Sequence, residues 1–148
     1  MVKIYFDSCC YNRPFDEQFQ SKIVQETNAI MDIINFVENG YAKMYTSSLV
    51  ELEMEKNRNI IKKEQVTLFY NALKNKVKIS ISKSINERAK ELLEKYNIKY
   101  KDALHIAYCE LGGVDYLLST DKLLVNASNR VDLSLKVINP SDFIKEVY

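Results

Sequence analysis

Two apolar runs of this sequence end in an aspartate. Val2-Lys3-Ile4-Tyr5-Phe6 leads directly into Asp7, and Tyr116-Leu117-Leu118-Ser119-Thr120 into Asp121. A third aspartate, Asp102, opens a segment in which Ala103, Leu104, Ile106 and Ala107 have helical spacing. The fourth acid is Glu53. It lies three and four positions after Val50 and Leu49, on their side of a helix. Each has a plain explanation when taken alone. An aspartate at a helix start complements the dipole, and Glu51, toward the flank, reads as a solvated glutamate. A helix starting one residue differently would put Glu51 in place of Glu53. Gathered in one crevice, however, carboxylates repel one another, so some must protonate or a cation must neutralise them. Hard oxygen ligands without His or Cys partners suit Mg²⁺ or Mn²⁺. Such an ion, shared with phosphate oxygens of a substrate, can make a water nucleophilic and steady the departing oxygen.

The elements that must carry these acids are legible as alternating periods. Short β-prone runs occur at Val2 to Phe6, Lys43 to Thr46, Val77 to Ser80, Tyr116 to Ser119 and Leu135 to Ile138. Helical spacing separates them. Ile23, Ala29, Ile30, Ile33, Ile34 and Val37 mark a long helix that Gly40 can end. Leu49 to Met54 mark a short one, with Ser47 or Ser48 as N-cap. Val66 to Leu73, Ile85 to Leu93 and Ala103 to Leu111 mark three more, the last closed by Gly112-Gly113. Strands alternating with helices predict an α/β fold of three layers, α/β/α, around a mostly parallel sheet. In such sheets the functional crevice lies beyond the carboxyl ends of the strands, where Asp7 and Asp121 fall.

Composition narrows the alternatives. At 148 residues, 47% hydrophobic and 28% charged, the chain predicts one domain over 1–148 with a single core. No apolar run is long enough to span a bilayer. The start of the chain lacks a secretory pattern. Three cysteines, two of them adjacent (Cys9 and Cys10), make no disulfide framework. Both observations predict a reducing cytoplasm. With only three glycines, Gly40, Gly112 and Gly113, neither a Walker-type loop nor a G-x-G-x-x-G turn can be built. A net charge of +1 supplies no bulk attraction for nucleic acid, so any such binding needs a local basic patch.

The order of the acidic motifs resembles the PIN-domain family, the ribonuclease fold shared by many bacterial and archaeal toxins of the VapC type. The pattern is carried by Asp7-Ser8 after the first strand and by Ser47 six residues before Glu53. Asp102-Ala103-Leu104-His105-Ile106-Ala107 and Ser119-Thr120-Asp121 complete it. Asp7-Ser8-Cys9-Cys10-Tyr11-Asn12-Arg13-Pro14-Phe15 is similar to one subgroup of such proteins. The resemblance implies metal-dependent cleavage of RNA by a water nucleophile. It implies Asp7, Glu53, Asp102 and Asp121 as the residues holding Mg²⁺ or Mn²⁺, supported through hydrogen bonds by Ser8 and Ser119. It also implies an antitoxin protein and a homodimer as partners.

Other side chains carry two readings each. Asn12 and Arg13, expected in the loop beyond the first strand, could hold a substrate phosphate through a forked guanidinium, or Arg13 could be an ion-pair partner. Lys56, Arg58, Lys62 and Lys63 could track an RNA backbone or form a wet helix face. His105, one turn after Asp102, could join a metal site or act as a base, but reads first as a packed or hydrogen-bonded residue. Cys9 and Cys10 read as small buried thiols. The rival to a nuclease is a PIN-like module that grips RNA or protein without cutting. A phosphoacceptor receiver domain fits poorly, because Ser8-Cys9 follows Asp7 where that fold needs a second acid.

Overall fold

Each apolar run predicted to be a strand is one in the computed structural model, which describes residues 1–147. They are β1 (Val2–Phe6), β2 (Ala42–Ser47), β3 (Val77–Ile79), β4 (Tyr116–Leu118) and β5 (Lys136–Ile138). All neighbours pair in parallel, in the order β3-β2-β1-β4-β5. Ile4 lies opposite Met44 on one side and Tyr116 on the other. A central parallel strand is covered on both faces, which is why Ile4, Tyr5 and Phe6 are all fully buried and the strand shows no polar alternation.

The helices are α1 (Ser8–Asn12), α2 (Ser21–Glu38), α3 (Ser48–Glu55), α4 (Ile60–Ala72), α5 (Lys83–Tyr96), α6 (Tyr100–Leu111), α7 (Lys122–Ser128) and α8 (Pro140–Val147). A 3-10 turn at Arg13–Phe15 follows α1 directly. Caps fix several ends. The Oγ of Ser47 accepts from the Val50 N–H at the start of α3, and Asn59 accepts from the Lys62 N–H at the start of α4. Gly40 at φ +84° follows α2, and Asn97 at φ +57° closes α5.

From β1 to β3 the chain moves one way across the sheet, and from β3 to β5 it moves back. Crossovers of one hand therefore put α1 to α4 over one face and α5 and α6 over the other. The alternation of β1 follows suit. Tyr5 reaches His105 of α6, whereas Phe6 packs edge-on against Tyr11 of α1, with ring centroids 5.4 Å apart. The reversal of direction occurs between β1 and β4, so a crevice opens beyond their carboxyl ends.

The segment after β1 departs from expectation. Asn12 and Arg13 are not in a loop: Asn12 ends α1, donating from Nδ2 to the Ser8 carbonyl at 2.9 Å, and Arg13 begins the 3-10 turn. Five residues are too few to show a helical period. Arg13 pins this turn to α2 through Glu26, whose carboxylate is 1% exposed and lies 3.1 Å from the guanidinium Nε. Asn139, just before α8, donates to the other Glu26 oxygen at 2.6 Å. Removing one member of a buried pair leaves the other charge uncompensated. Arg13→Ala is therefore expected to lower the unfolding free energy in urea by about 3 kcal/mol. Adding Glu26→Gln should restore part of that loss. A change below about 0.5 kcal/mol would place this pair with ordinary solvated ones.

Candidate functional site

Asp7 stands at the carboxyl end of β1, buried, and three side chains aim its carboxylate. Ser119, fully buried after β4, donates to Oδ2 at 2.9 Å, and the Cys9 thiol reaches the same oxygen at 3.3 Å. The Ser8 hydroxyl stands 3.4 Å from Oδ1 and can turn its one proton either to it or to Glu53. Ser119 also accepts the Asp121 N–H at 3.0 Å, so one hydroxyl fixes both strand ends. Cys9 accepts the Thr120 N–H at 3.3 Å, which ties the same two segments again. Parallel pairing of β1 with β4 is what brings residues more than a hundred positions apart into this contact.

Glu53 comes from α3, on the side of the buried Leu49 and Val50, as its spacing requires. Ser8 donates to its Oε1 at 3.1 Å, and His105 Nε2 lies 2.6 Å from the same oxygen. Glu51 points elsewhere, to Lys78 at 2.6 Å and to the Tyr70 hydroxyl at 3.1 Å. The phase of α3 thus separates the two glutamates, and only Glu53 faces Asp7.

His105 is buried and hydrogen-bonded at both ring nitrogens. Its Nδ1 lies 2.7 Å from the Tyr5 hydroxyl, which is 2.7 Å from Ser47 Oγ, the N-cap of α3. Its Nε2, besides meeting Glu53, is 3.5 Å from Asp7. Burial alone would lower its pKa, but Glu53, Asp7 and Asp102 outweigh that and raise it. For Glu53, burial pushes upward, while the His105 and Ser8 contacts prevail and leave the carboxyl below its ordinary value. His105 is a hydrogen-bonded residue, as read from the sequence, but its partner is a site carboxylate. Two signals point there: His105 follows Asp102 by one helical turn, and Tyr5 shares a strand face with Asp7.

Asp102 sits in the first turn of α6, half-buried. Burial, then the charges of Asp7 and Asp121, push its pKa up to about 6. Asp121 is exposed at the rim, capping α7 by accepting the Leu123 N–H at 2.9 Å. Asp7, Glu53 and His105 each offer a ligand atom within 4.8 Å of the others. Asp102 and Asp121 are near enough to be felt as charges. This donor set, rich in carboxylate oxygen, fits a divalent cation.

Beside Glu53 a groove of about 420 Å³ is lined by Arg13, Asp16, Lys56 and Lys62 among others. Arg13 is held by Asp16 at 2.9 Å and by Glu26, so the ion-pair reading is the one with observed partners. Lys62 also pairs with Asp16, and Lys63 with Glu55 at 3.2 Å. Lys56 and Arg58 are exposed, Lys56 at the groove.

The family model for the PIN domain matches residues 4–129, the span that contains Asp7, Glu53, Asp102, His105 and Asp121. The chain belongs to the PIN-domain family. Solved structures agree in fold. A chain of a toxin–antitoxin complex from Klebsiella pneumoniae is 20% identical with a TM-score of 0.63, covering 93% of this chain and 97% of that one. A chain of VapBC2 from Rickettsia felis, bound to a promoter DNA fragment, is 15% identical with a TM-score of 0.64, covering 93% and 98%. One of DNA-bound VapBC from Salmonella typhimurium is 12% identical with a TM-score of 0.58, covering 95% and 99%. No curated protein matches the sequence. Among the described residues of this PIN domain, no helix is long and apolar enough to cross a membrane.

The raised pKa of Asp102 makes stability depend on pH. A carboxyl with a folded value above its ordinary 3.8 favours the protonated fold. Its contribution is present below pH 3.8 and is lost as the pH rises through about 6. Allowing for partial exposure, that is about 1 kcal/mol. In EDTA at about pH 7.5, Asp102→Asn is expected to melt about 3 °C above the wild type, and at about pH 3.5 to melt with it. Equal destabilisation at both pH values would show that Asp102 carries no repulsion.

Proposed function

We propose that this PIN domain is a metal-dependent endoribonuclease that hydrolyses RNA phosphodiester bonds, acting in the cytoplasm as the toxin of a toxin–antitoxin pair. Family membership and the fold shared with chains of toxin–antitoxin complexes support the class. The observation that carries the chemistry is the convergence of Asp7, Glu53 and His105, with Asp102 and Asp121 beside them.

Asp7, Glu53, Asp102 and Asp121 are the residues to hold Mg²⁺ or Mn²⁺. Bound there, the ion would neutralise the carboxylates and make a water acidic enough to attack phosphorus at neutral pH. The rest of the work belongs to the chain. Ser119 and Cys9 hold the Asp7 carboxylate in one orientation, and His105 with Ser8 does the same for Glu53. Geometry fixed before substrate arrives avoids reorganisation during reaction. Asn12 and Arg13 stiffen the segment between Asp7 and the groove, beside which Lys56 meets the RNA strand. In hydrolysis the water oxygen bonds to phosphorus, the bond to the leaving ribose oxygen breaks, and that oxygen takes a proton. An antitoxin protein and a second copy of the chain are the protein partners this reading assigns.

Asp7→Asn should abolish RNA cleavage in Mn²⁺ while the circular dichroism spectrum stays that of the wild type. A gel assay on protein freed of contaminating nuclease checks it. Full cleavage by that variant would remove the catalytic assignment. RNA retention by the wild type in EDTA, with no product on adding Mn²⁺, would favour the non-cutting binding module.

A further inference from the structure

On the other side of Thr120 from Glu53 lies a second concavity, of about 310 Å³, bounded by α2, α7 and α8 and floored by Ser119 and Thr120. Lys22, Lys122 and Lys145 stand around it, one from each helix. All three are exposed, and none has a carboxylate partner among the described residues. Of the two acids in the lining, Glu26 is engaged by Arg13 and Asn139, which leaves Asp142 as the one free carboxylate there against three ammonium groups. The Ser141 Oγ is buried without a hydrogen-bond partner. Positive charge with an unused hydroxyl suits an anion.

The position says which anion. Thr120 lines this concavity and also the groove that holds Glu53 and Lys56, so the two meet beside the Ser119 hydroxyl bound to Asp7. A strand laid across the carboxylates enters by one and leaves by the other. No aromatic side chain lines the concavity, and Val125 is its single apolar residue. It therefore offers no platform for stacking a base, and suits the sugar–phosphate backbone alone. We propose that Lys22, Lys122, Lys145 and Ser141 form a backbone-phosphate site for the RNA strand on the side of the cut away from Lys56. This rests on the nuclease reading and deepens it: the substrate must continue past the scissile bond, and this part of it is gripped without regard to sequence.

The test is the salt dependence of binding to a fluorescent single-stranded oligouridine, in EDTA so that nothing is cut. Each lysine that neutralises a phosphate adds about 0.7 to the slope of log affinity against log salt, so the triple variant Lys22→Ser, Lys122→Ser, Lys145→Ser should have a slope shallower by about 2. The reduction should be the same on an oligoadenosine. Lys83→Ser, on the far helix α5 and 90% exposed, should keep the wild-type slope. A triple variant with a wild-type spectrum and a wild-type slope overturns the site. If that variant instead loses affinity for polyglutamate, the concavity belongs to an acidic protein segment and not to RNA. A wild-type protein that binds no RNA at any salt contradicts the nuclease reading itself, and the site with it.

Discussion

Repulsion among carboxylates at the end of the central strand is the constraint around which this molecule is arranged. Asp7 cannot leave the crevice, because it follows a strand buried on both faces. Asp121 cannot leave either, because β4 is hydrogen-bonded to β1 and Ser119 ties the two ends together. The fold brings these charges close and then surrounds them with donors: Ser8, Ser119, Cys9 and His105. What those donors leave uncompensated shows at Asp102, whose pKa of about 6 records its burial and its neighbours' charges.

The donors are themselves supported from the core. The chain of hydrogen bonds from the α3 N-cap, Ser47, through Tyr5 to His105 ends on Glu53, so the same helix contributes both ends of the relay. Moving α3 moves the cap, the relay and the carboxylate together. Elsewhere the Arg13–Glu26–Asn139 cluster joins the turn after α1 to α2 and to the start of α8. In the first cluster each buried polar side chain has a hydrogen-bond partner; in the second, Arg13 and Glu26 are held by charge at 3.1 Å, and Asn139 supplies the hydrogen bond. Both clusters adjoin the crevice.

Much of this is legible in the sequence for identifiable reasons. The parallel strands read as short β-prone runs, and all five stand out in that way. The topology then follows from the helices between them, and the rule on strand ends locates Asp7 and Asp121. Three helices escape: α1 and α7 have five and seven residues, too little for a 3.6-residue period to repeat, and α8 follows the last strand with no further strand to bracket it. Their capping chemistry is nonetheless present in Asp121 before α7 and in Pro140 at the start of α8. The choice between Glu53 and Glu51 depends on helix phase, which only the position of the Ser47 cap settles. The role of Tyr5 is hidden because a tyrosine in an apolar strand looks like core, and it is core apart from its hydroxyl.

The claim that the acids share a cation is most directly met by a crystal grown or soaked in Mn²⁺ and measured at the manganese absorption edge. The account predicts an anomalous peak touching the Asp7 carboxylate, with Glu53 and the two outer aspartates turned toward it directly or through water. A crevice that stays free of manganese, or a peak bound elsewhere while these side chains diverge, would contradict it.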